Sequence, residues 1–458
     1  MSDTDFSALK LNSDLLKNLS SLGYKSMTTI QELSLPLILA GEDVIGQGKT
    51  GSGKTAAFGL GLLQKLDTSV FKAQAIVLCP TRELAGQVAV EIRKLARAVN
   101  NIKVLELCGG TPLAPQINSL AHGAHIIIGT PGRIEEHLRK DSLQLANIKT
   151  LVLDEADRML DMGFKDTIES IVAKIPTKRQ TLLFSATYPA GIALIAENIM
   201  QNPTMVEASA IEEKLSIKQY FHLVNGFDER LTALRLLLAK HCPNSALVFC
   251  NTKIDTQNVA DELANYGFYA LAIHGDLDQR QRDQALIRFA NGSANVLVAT
   301  DVAARGLDIT DLDMVINFNL AHDFDVHTHR IGRTGRAGKS GVTCTFFGDK
   351  ETHKLAAFDI DLESAEPLPN DNYLDKALKK PLMTTLKIDG GKKQKLRPGD
   401  IVGGLTGKSG IPFDKIGKIN ISSNWSFVAI ETELVKTALQ KIQTDKLKGK
   451  NFRVRILS

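Results

Sequence analysis

The chain has 458 residues, 43% of them hydrophobic, a mean hydropathy of −0.04 and five scattered cysteines without a CxxC pair. At roughly 150 residues per domain, this describes about three soluble globular domains and excludes a zinc knuckle, a disulfide framework and, with no run of about 18 apolar residues, a membrane-spanning helix. Net charge is only +4, yet residues 379–458 carry 17 Lys and Arg against 6 Asp and Glu, a local balance of +11 that leaves −7 on the rest. A basic tail on a mildly acidic body points to a polyanionic partner.

In chain order, the amino terminus MSDTDFSALK lacks an apolar leader core, so a cytoplasmic protein is expected. The apolar DVI before residue 46 reads as a strand, GKTGSGKT as a glycine-rich loop, and AAFGLGLLQKL as a helix. AIVLCP, HIIIGTP, TLVLDEAD and QTLLFSAT then read as buried strands that each end in polar residues. ALVFCNT, ALAIHGD, VLVATD, MVINFN and VTCTFF repeat the pattern. Short apolar runs alternating with helical stretches predict parallel α/β sheets, with ligands gathered at the carboxyl ends of the strands. The change near residue 207 predicts two domains, 1–207 and 208–365. The proline-punctuated 366–382 reads as a linker. Residues 383–458 read as βαββαβ: TTLKID, a basic loop, a helix opened by Pro398, KIGKINI, NWSFVAIE, ELVKTALQKI and NFRVRIL.

GKTGSGKT fits G-x-x-x-x-G-K-[ST] in the strand–loop–helix setting that the motif requires. Backbone amides of Gly51, Ser52 and Gly53 would wrap phosphates, Lys54 would reach the β and γ oxygens, and Thr55 would ligate Mg²⁺. A strand delivers Asp154 and Glu155 to its carboxyl end. Asp154 is expected to hold the metal and Glu155 to orient or deprotonate the attacking water.

The tetrad at 154–157 is the name-giving motif of the DEAD-box ATP-dependent RNA helicases, and the chain resembles that family over residues 6–340. GYKSMTTIQ resembles its adenine-reading motif, with Gln31 on the base edge and Phe6 and Tyr24 as stacking candidates. PTRELA, GG, TPGR, VFCNTK, QRQR, ATDVAARGLD and HRIGRTGR follow in the family's order. The resemblance implies two RecA-like domains in tandem plus an RRM-like domain. It implies RNA-backbone contacts by Thr81, Arg82, Gly110, Thr130, Arg133, Thr252, Gln279, Arg282, Thr300 and Arg305, and an ATP contact by Asp308. Ser185 and Thr187 of SAT would couple hydrolysis to strand separation, and Arg333 and Arg336 would be arginine fingers. Met27, Gly48 and His327 stand where the family commonly has proline, alanine and tyrosine; none removes a catalytic group.

Residues 383–458 resemble the carboxyl-terminal domain of the DbpA subfamily, bacterial members that bind a 23S rRNA hairpin during large-subunit assembly. The resemblance implies ATP and Mg²⁺ as cofactors, precursor particles as partners, no membrane and a monomer. Two RNA faces stay open. One is the sheet, with Trp425 and Phe427, although Ser423 and Ile430 depart from the usual pattern; the other is the basic loop Lys392, Lys393, Lys395 and Arg397, with Lys446, Lys448, Lys450, Arg453 and Arg455. The same motifs also suit an ATP-gated RNA clamp that does not unwind, whereas the tetrad and the Gln31 motif argue against a DNA translocase.

Overall fold

The computed structural model describes residues 5–457 apart from 49–50, 209–216, 305–310, 336–340, 359–360, 362–364 and 408–409. It divides into two compact units, the first within residues 1–211 and the second within 212–458.

The first unit is built on strands β1 Val44–Gln47, β2 Ala75–Leu78, β3 Val104–Leu107, β4 Ile126–Gly129, β5 Thr150–Asp154, β6 Gln180–Ser185 and β7 Thr204–Glu207. Every pairing is parallel, in the order β3-β4-β2-β5-β6-β1-β7. β2, β4, β5 and β6 are buried along their whole length, which is why they read as unbroken apolar runs: helices cover both faces. The two faces form separate cores, one around Phe58, Val77 and Phe184, the other around Ile76, Leu151 and Ile192.

The second unit begins with β8 Ile217–Leu223, β9 Ala246–Cys250, β10 Ala270–Ile273, β11 Val296–Thr300, β12 Met314–Asn317 and β13 Gly341–Phe347, again all parallel, in the order β10-β11-β9-β12-β13-β8. β3, β7 and β8 are not among the strands expected from sequence. All three lie at sheet edges and are partly exposed, so their apolar signal is diluted.

The segment expected as a linker is pinned to this second sheet domain. The Glu366 amide donates to the Phe221 carbonyl at 2.8 Å, Leu368 packs against the core, and the Lys379 ammonium donates to the Cys242 carbonyl at 3.0 Å. It leads into β14 Met383–Ile388, β15 Ile416–Ile421, β16 Ser426–Glu431 and β17 Val454–Ile456, an antiparallel sheet ordered β15-β16-β14-β17. Helices Pro398–Thr406 and Val435–Thr444 cover one face, over Leu386, Ile388, Val428 and Ile430. The fold is thus two RecA-like parallel-sheet domains plus a small RRM-like domain, as the sequence implies. No helix among the described residues is long and apolar enough to cross a membrane.

Candidate nucleotide site and RNA-facing loops

The glycine-rich loop leaves β1 and ends at Gly53, whose φ of +97° is a left-handed conformation that lets helix Lys54–Lys65 start at once. A neighbouring helix, Thr29–Ala40, holds this loop from the side. Thr28 Oγ1 donates to the Ser52 carbonyl at 2.7 Å and Gln31 Nε2 to the Gly53 carbonyl at 3.1 Å, while Gln31 Oε1 accepts from the Thr28 amide at 3.0 Å. Gln31, expected on the base edge, is therefore committed in this structure to holding the glycine-rich loop. The Lys54 ammonium is buried and donates to the Gly48 carbonyl at 2.7 Å. Ser52 Oγ is buried without a hydrogen bond. Phe6 is buried in the core, edge-on to Tyr24 with ring centroids 6.1 Å apart, and the Tyr24 hydroxyl donates to Glu91 at 2.7 Å.

β5 carries Asp154 to the same end of the sheet. Burial pushes its carboxyl up to about 7, against the pull of Lys54 and with Glu155 adding to the rise. Glu155 sits at φ +53°, a conformation costly for a residue with a side chain. Asp157 turns the other way. Its carboxylate accepts from the Ala186 and Thr187 amides at 3.2 and 3.0 Å and from the Thr187 hydroxyl at 3.0 Å. Burial opposes its ionisation, but the Thr187 bonds, with Lys54 and Arg158 nearby, hold it below the usual carboxylate range. Ser185 Oγ in turn accepts from the Asp157 amide at 3.2 Å, so the two elements are bonded in both directions.

On the other side of this sheet, β3, β4 and β2 are adjacent and end in the residues expected to meet RNA. Thr81 Oγ1 caps its helix by accepting from the Leu84 amide at 3.3 Å. The Arg82 guanidinium donates to the Gly109 carbonyl at 3.0 Å, passing so close to Gly110, itself at φ +69°, that a methyl group there would overlap it. Arg133 donates to the Thr111 carbonyl at 3.0 Å and pairs with Glu136, and Thr130 stands at the N-cap position of the helix Pro131–Arg139 without a side-chain bond to it. Gly110, Thr81, Arg82, Thr130 and Arg133 thus form one patch.

In the second unit, Thr252 caps its helix through the Asp255 amide at 3.0 Å, Gln279 donates to Asp283 at 2.8 Å, and Thr300 Oγ1 accepts from the Ala303 amide at 3.3 Å. Arg333 is buried. Arg305, Asp308 and Arg336 lie outside the described residues. Arg330, not among the sequence candidates, is the centre of this region. Buried at 1% exposure, it makes a two-point pair with Asp301 at 2.7 Å and donates to Asn251 at 2.8 Å and to the Asn319 carbonyl at 2.8 Å. Three strand ends are thereby tied to the helix that precedes Arg333. In the sequence Arg330 lies within the HRIGRTGR stretch, three residues before Arg333.

Set against known families, residues 28–195 match the model of the DEAD/DEAH box helicases, 228–338 that of the helicase conserved C-terminal domain, and 385–456 that of the DbpA RNA binding domain. The chain belongs to the DEAD-box ATP-dependent RNA helicases. The Escherichia coli (strain K12) ATP-dependent RNA helicase DbpA is 51% identical over 446 residues, 96% of this chain and 97% of that one. The Bacillus subtilis (strain 168) DEAD-box ATP-dependent RNA helicase CshA is 44% identical over 373 residues, covering 81% of this chain and 75% of that one. Among solved structures, Saccharomyces cerevisiae Dbp5 bound to RNA and ADP BeF3 matches 81% of this chain and 97% of its own at 31% identity, with a TM-score of 0.71. This helicase therefore uses ATP, binds RNA, and is an RNA-dependent ATPase.

The third domain of the helicase shows how its two candidate RNA faces differ. On the sheet face opposite its core, Thr385, Lys387, Phe427 and Ala429 are all fully buried. Thr385 bonds Asn291 at 3.4 Å and also Ser293, both from the second sheet domain. The Trp425 ring lies between Arg280, 5.1 Å away, and Lys387, 4.8 Å away. Lys387 is held below its ordinary range by burial and by the neighbouring Arg280 and Arg455. The basic loop is open by contrast: Lys392, Lys393, Lys395 and Arg397 are exposed, and Lys448 donates to the Lys395 carbonyl at 2.9 Å, joining the two basic segments.

Proposed function

We propose that this helicase remodels ribosomal RNA during assembly of the large subunit, directed by its third domain to a 23S rRNA hairpin, as a cytoplasmic monomer. The observation that carries the targeting is the contrast within residues 383–458: the sheet face is covered while a joined basic rim is open. Phosphate contacts from such a rim position an RNA, and the loop's backbone and side chains meet its bases. The likeness to the DbpA subfamily supports the hairpin as target.

In the same reading, domains 1–207 and 208–365 form the motor, 366–382 connects, and 383–458 selects. Lys54 binds the β and γ phosphates, Glu155 orients the attacking water, and Gln31 reads the base edge, with Phe6 and Tyr24 as the stacking residues. Arg333 and Arg336 stabilise charge on the transferred phosphoryl group, an effect of about 10³–10⁵ in rate in related enzymes. Thr55 and Asp154 suit Mg²⁺, because a carboxyl buried enough to titrate near 7 is relieved by a cation. Bound there, the metal neutralises phosphate charge. Thr81, Arg82, Gly110, Thr130 and Arg133, with Thr252, Gln279, Arg282, Thr300 and Arg305, grip one strand by its backbone, which opens a short duplex locally.

The test is ATPase stimulation of the full chain by RNA fragments tiled across 23S rRNA, with Lys392, Lys393, Lys395 and Arg397 intact or all changed to Ala. The wild type responds to one fragment above the others, and the quadruple variant answers all fragments alike. An unchanged preference in the variant refutes the targeting surface. Strand displacement of a short duplex distinguishes unwinding from clamping.

A further inference from the structure

One buried charge beside the tetrad has no part in the scheme above. Arg158 is 4% exposed and Glu155 5% exposed, and Arg158 Nη1 lies 3.3 Å from Glu155 Oε2. Neither of those two atoms makes a hydrogen bond. The pair is electrostatic contact without directional lock, in a site where an unpaired charge is costly. Around it stand two further carboxylates, Asp154 and Asp157, and one other cation, Lys54, whose ammonium is turned to the Gly48 carbonyl. The Arg158 amide is fixed by Asp157 Oδ1 at 3.0 Å and by the Glu155 carbonyl at 3.1 Å. Its guanidinium therefore starts from an anchored backbone. Glu155 meanwhile sits in a left-handed conformation that its surroundings must maintain.

We infer that Arg158 is a positioning residue for Glu155: it draws Oε2 to one side, so that Oε1 is the carboxylate oxygen presented to the attacking water. The loose geometry suits this task, because a tether at 3.3 Å restrains the carboxylate without immobilising it. This rests on the proposed role of Glu155 with water, and the experiment separates the two.

Full-length wild type, Arg158→Met, Arg158→Lys, Glu155→Gln and the Arg158→Met/Glu155→Gln double variant are compared for RNA-saturated ATP turnover, KM for ATP, binding of a fluorescent ATP analogue and melting temperature. Arg158→Met lowers kcat by about 10–100-fold, the usual cost of losing a residue that orients a catalytic group. Its KM and analogue affinity stay within about twofold. Arg158→Lys, which keeps the charge, recovers most of the rate. In the Glu155→Gln background, Arg158→Met brings no further loss. If Glu155→Gln turns over ATP at the wild-type rate, the reading of Glu155 fails and this inference falls with it. If Glu155→Gln is slow but Arg158→Met adds its full loss on top, or acts through KM, or shifts only the melting temperature, Arg158 does not position Glu155. The lysine variant decides the matter if the methionine variant does not fold.

Discussion

Changing Thr385 to Val removes one hydroxyl at the seam between the third domain and the second sheet domain while keeping the side chain's shape. Thr385 is fully buried, and its hydroxyl is bonded to Ser293 and Asn291. Valine strands both partners, and Asn291 Oδ1 already lacks a hydrogen bond. A buried polar group left unpaired costs about 1–3 kcal/mol. The Asn291 contact is long at 3.4 Å, so the Ser293 loss dominates and the seam should weaken by about 2 kcal/mol, or about 30-fold in the docking equilibrium. Trp425 reports this directly. It is the chain's single tryptophan and its ring lies at the seam against Arg280. In a urea titration, the Trp425 emission of the variant should shift at lower denaturant than the loss of far-UV circular dichroism, with the two closer together in the wild type. Arg280→Ala should move the same emission by a smaller step, since a cation over an aromatic ring at a partly exposed site contributes about 0.5–1 kcal/mol. Identical emission curves for wild type and Thr385→Val would refute the docked seam.

His327 should make the second unit acid-sensitive. Burial, with Arg330 nearby, lowers its pKa from 6.5 to about 4. The folded protein thus binds fewer protons than the unfolded chain, so stability is full above pH 6.5 and falls as pH drops toward 4. The loss approaches about 3 kcal/mol, at about 1.4 kcal/mol per unit, and His327→Tyr should flatten the denaturation midpoint over that window. For Gly110→Ala, the added methyl displaces the Arg82 guanidinium and strains a backbone at φ +69°. RNA-stimulated ATPase should fall at least tenfold, about the 1.4 kcal/mol that a lost charged contact represents, while RNA-free ATPase stays level; equal loss of both would place the defect in the fold.

Much of the candidate nucleotide site is laid out along the chain, because the residues proposed for it are close in sequence. Lys54 and Thr55 follow the loop that positions them, and Asp154 and Glu155 end an apolar strand. Arg330, Arg158 and Asp157 were not singled out in this way. For Arg330 and Asp157 the importance lies in partners such as Asp301, Asn251 and Thr187, which are distant in sequence and meet only when parallel strands stack side by side. For Arg158, whose partner Glu155 is three residues away, it lies in burial that the sequence does not display. Edge strands were missed for a related reason. β7 and β8 each leave one side or rim to solvent, so the unbroken apolar run that marks β2 or β5 never forms.

The sequence alone determined the reaction chemistry, the two parallel sheets and the basic character of the tail, since each is written in contiguous residues whose spacing matches a strand, a loop or a helix. Only the tertiary structure decided what the linker and the third domain's sheet face do. TTLKID and NWSFVAIE alternate between two sides, and alternation fixes which residues share a side but not what covers it. Here helices cover one side, and the other meets Asn291, Ser293 and Arg280, while the basic loop at Lys392, Lys393, Lys395 and Arg397 stays exposed. That choice depends on contacts across about 90 residues or more of chain, where burial and hydrogen-bond satisfaction, rather than local propensity, set the outcome.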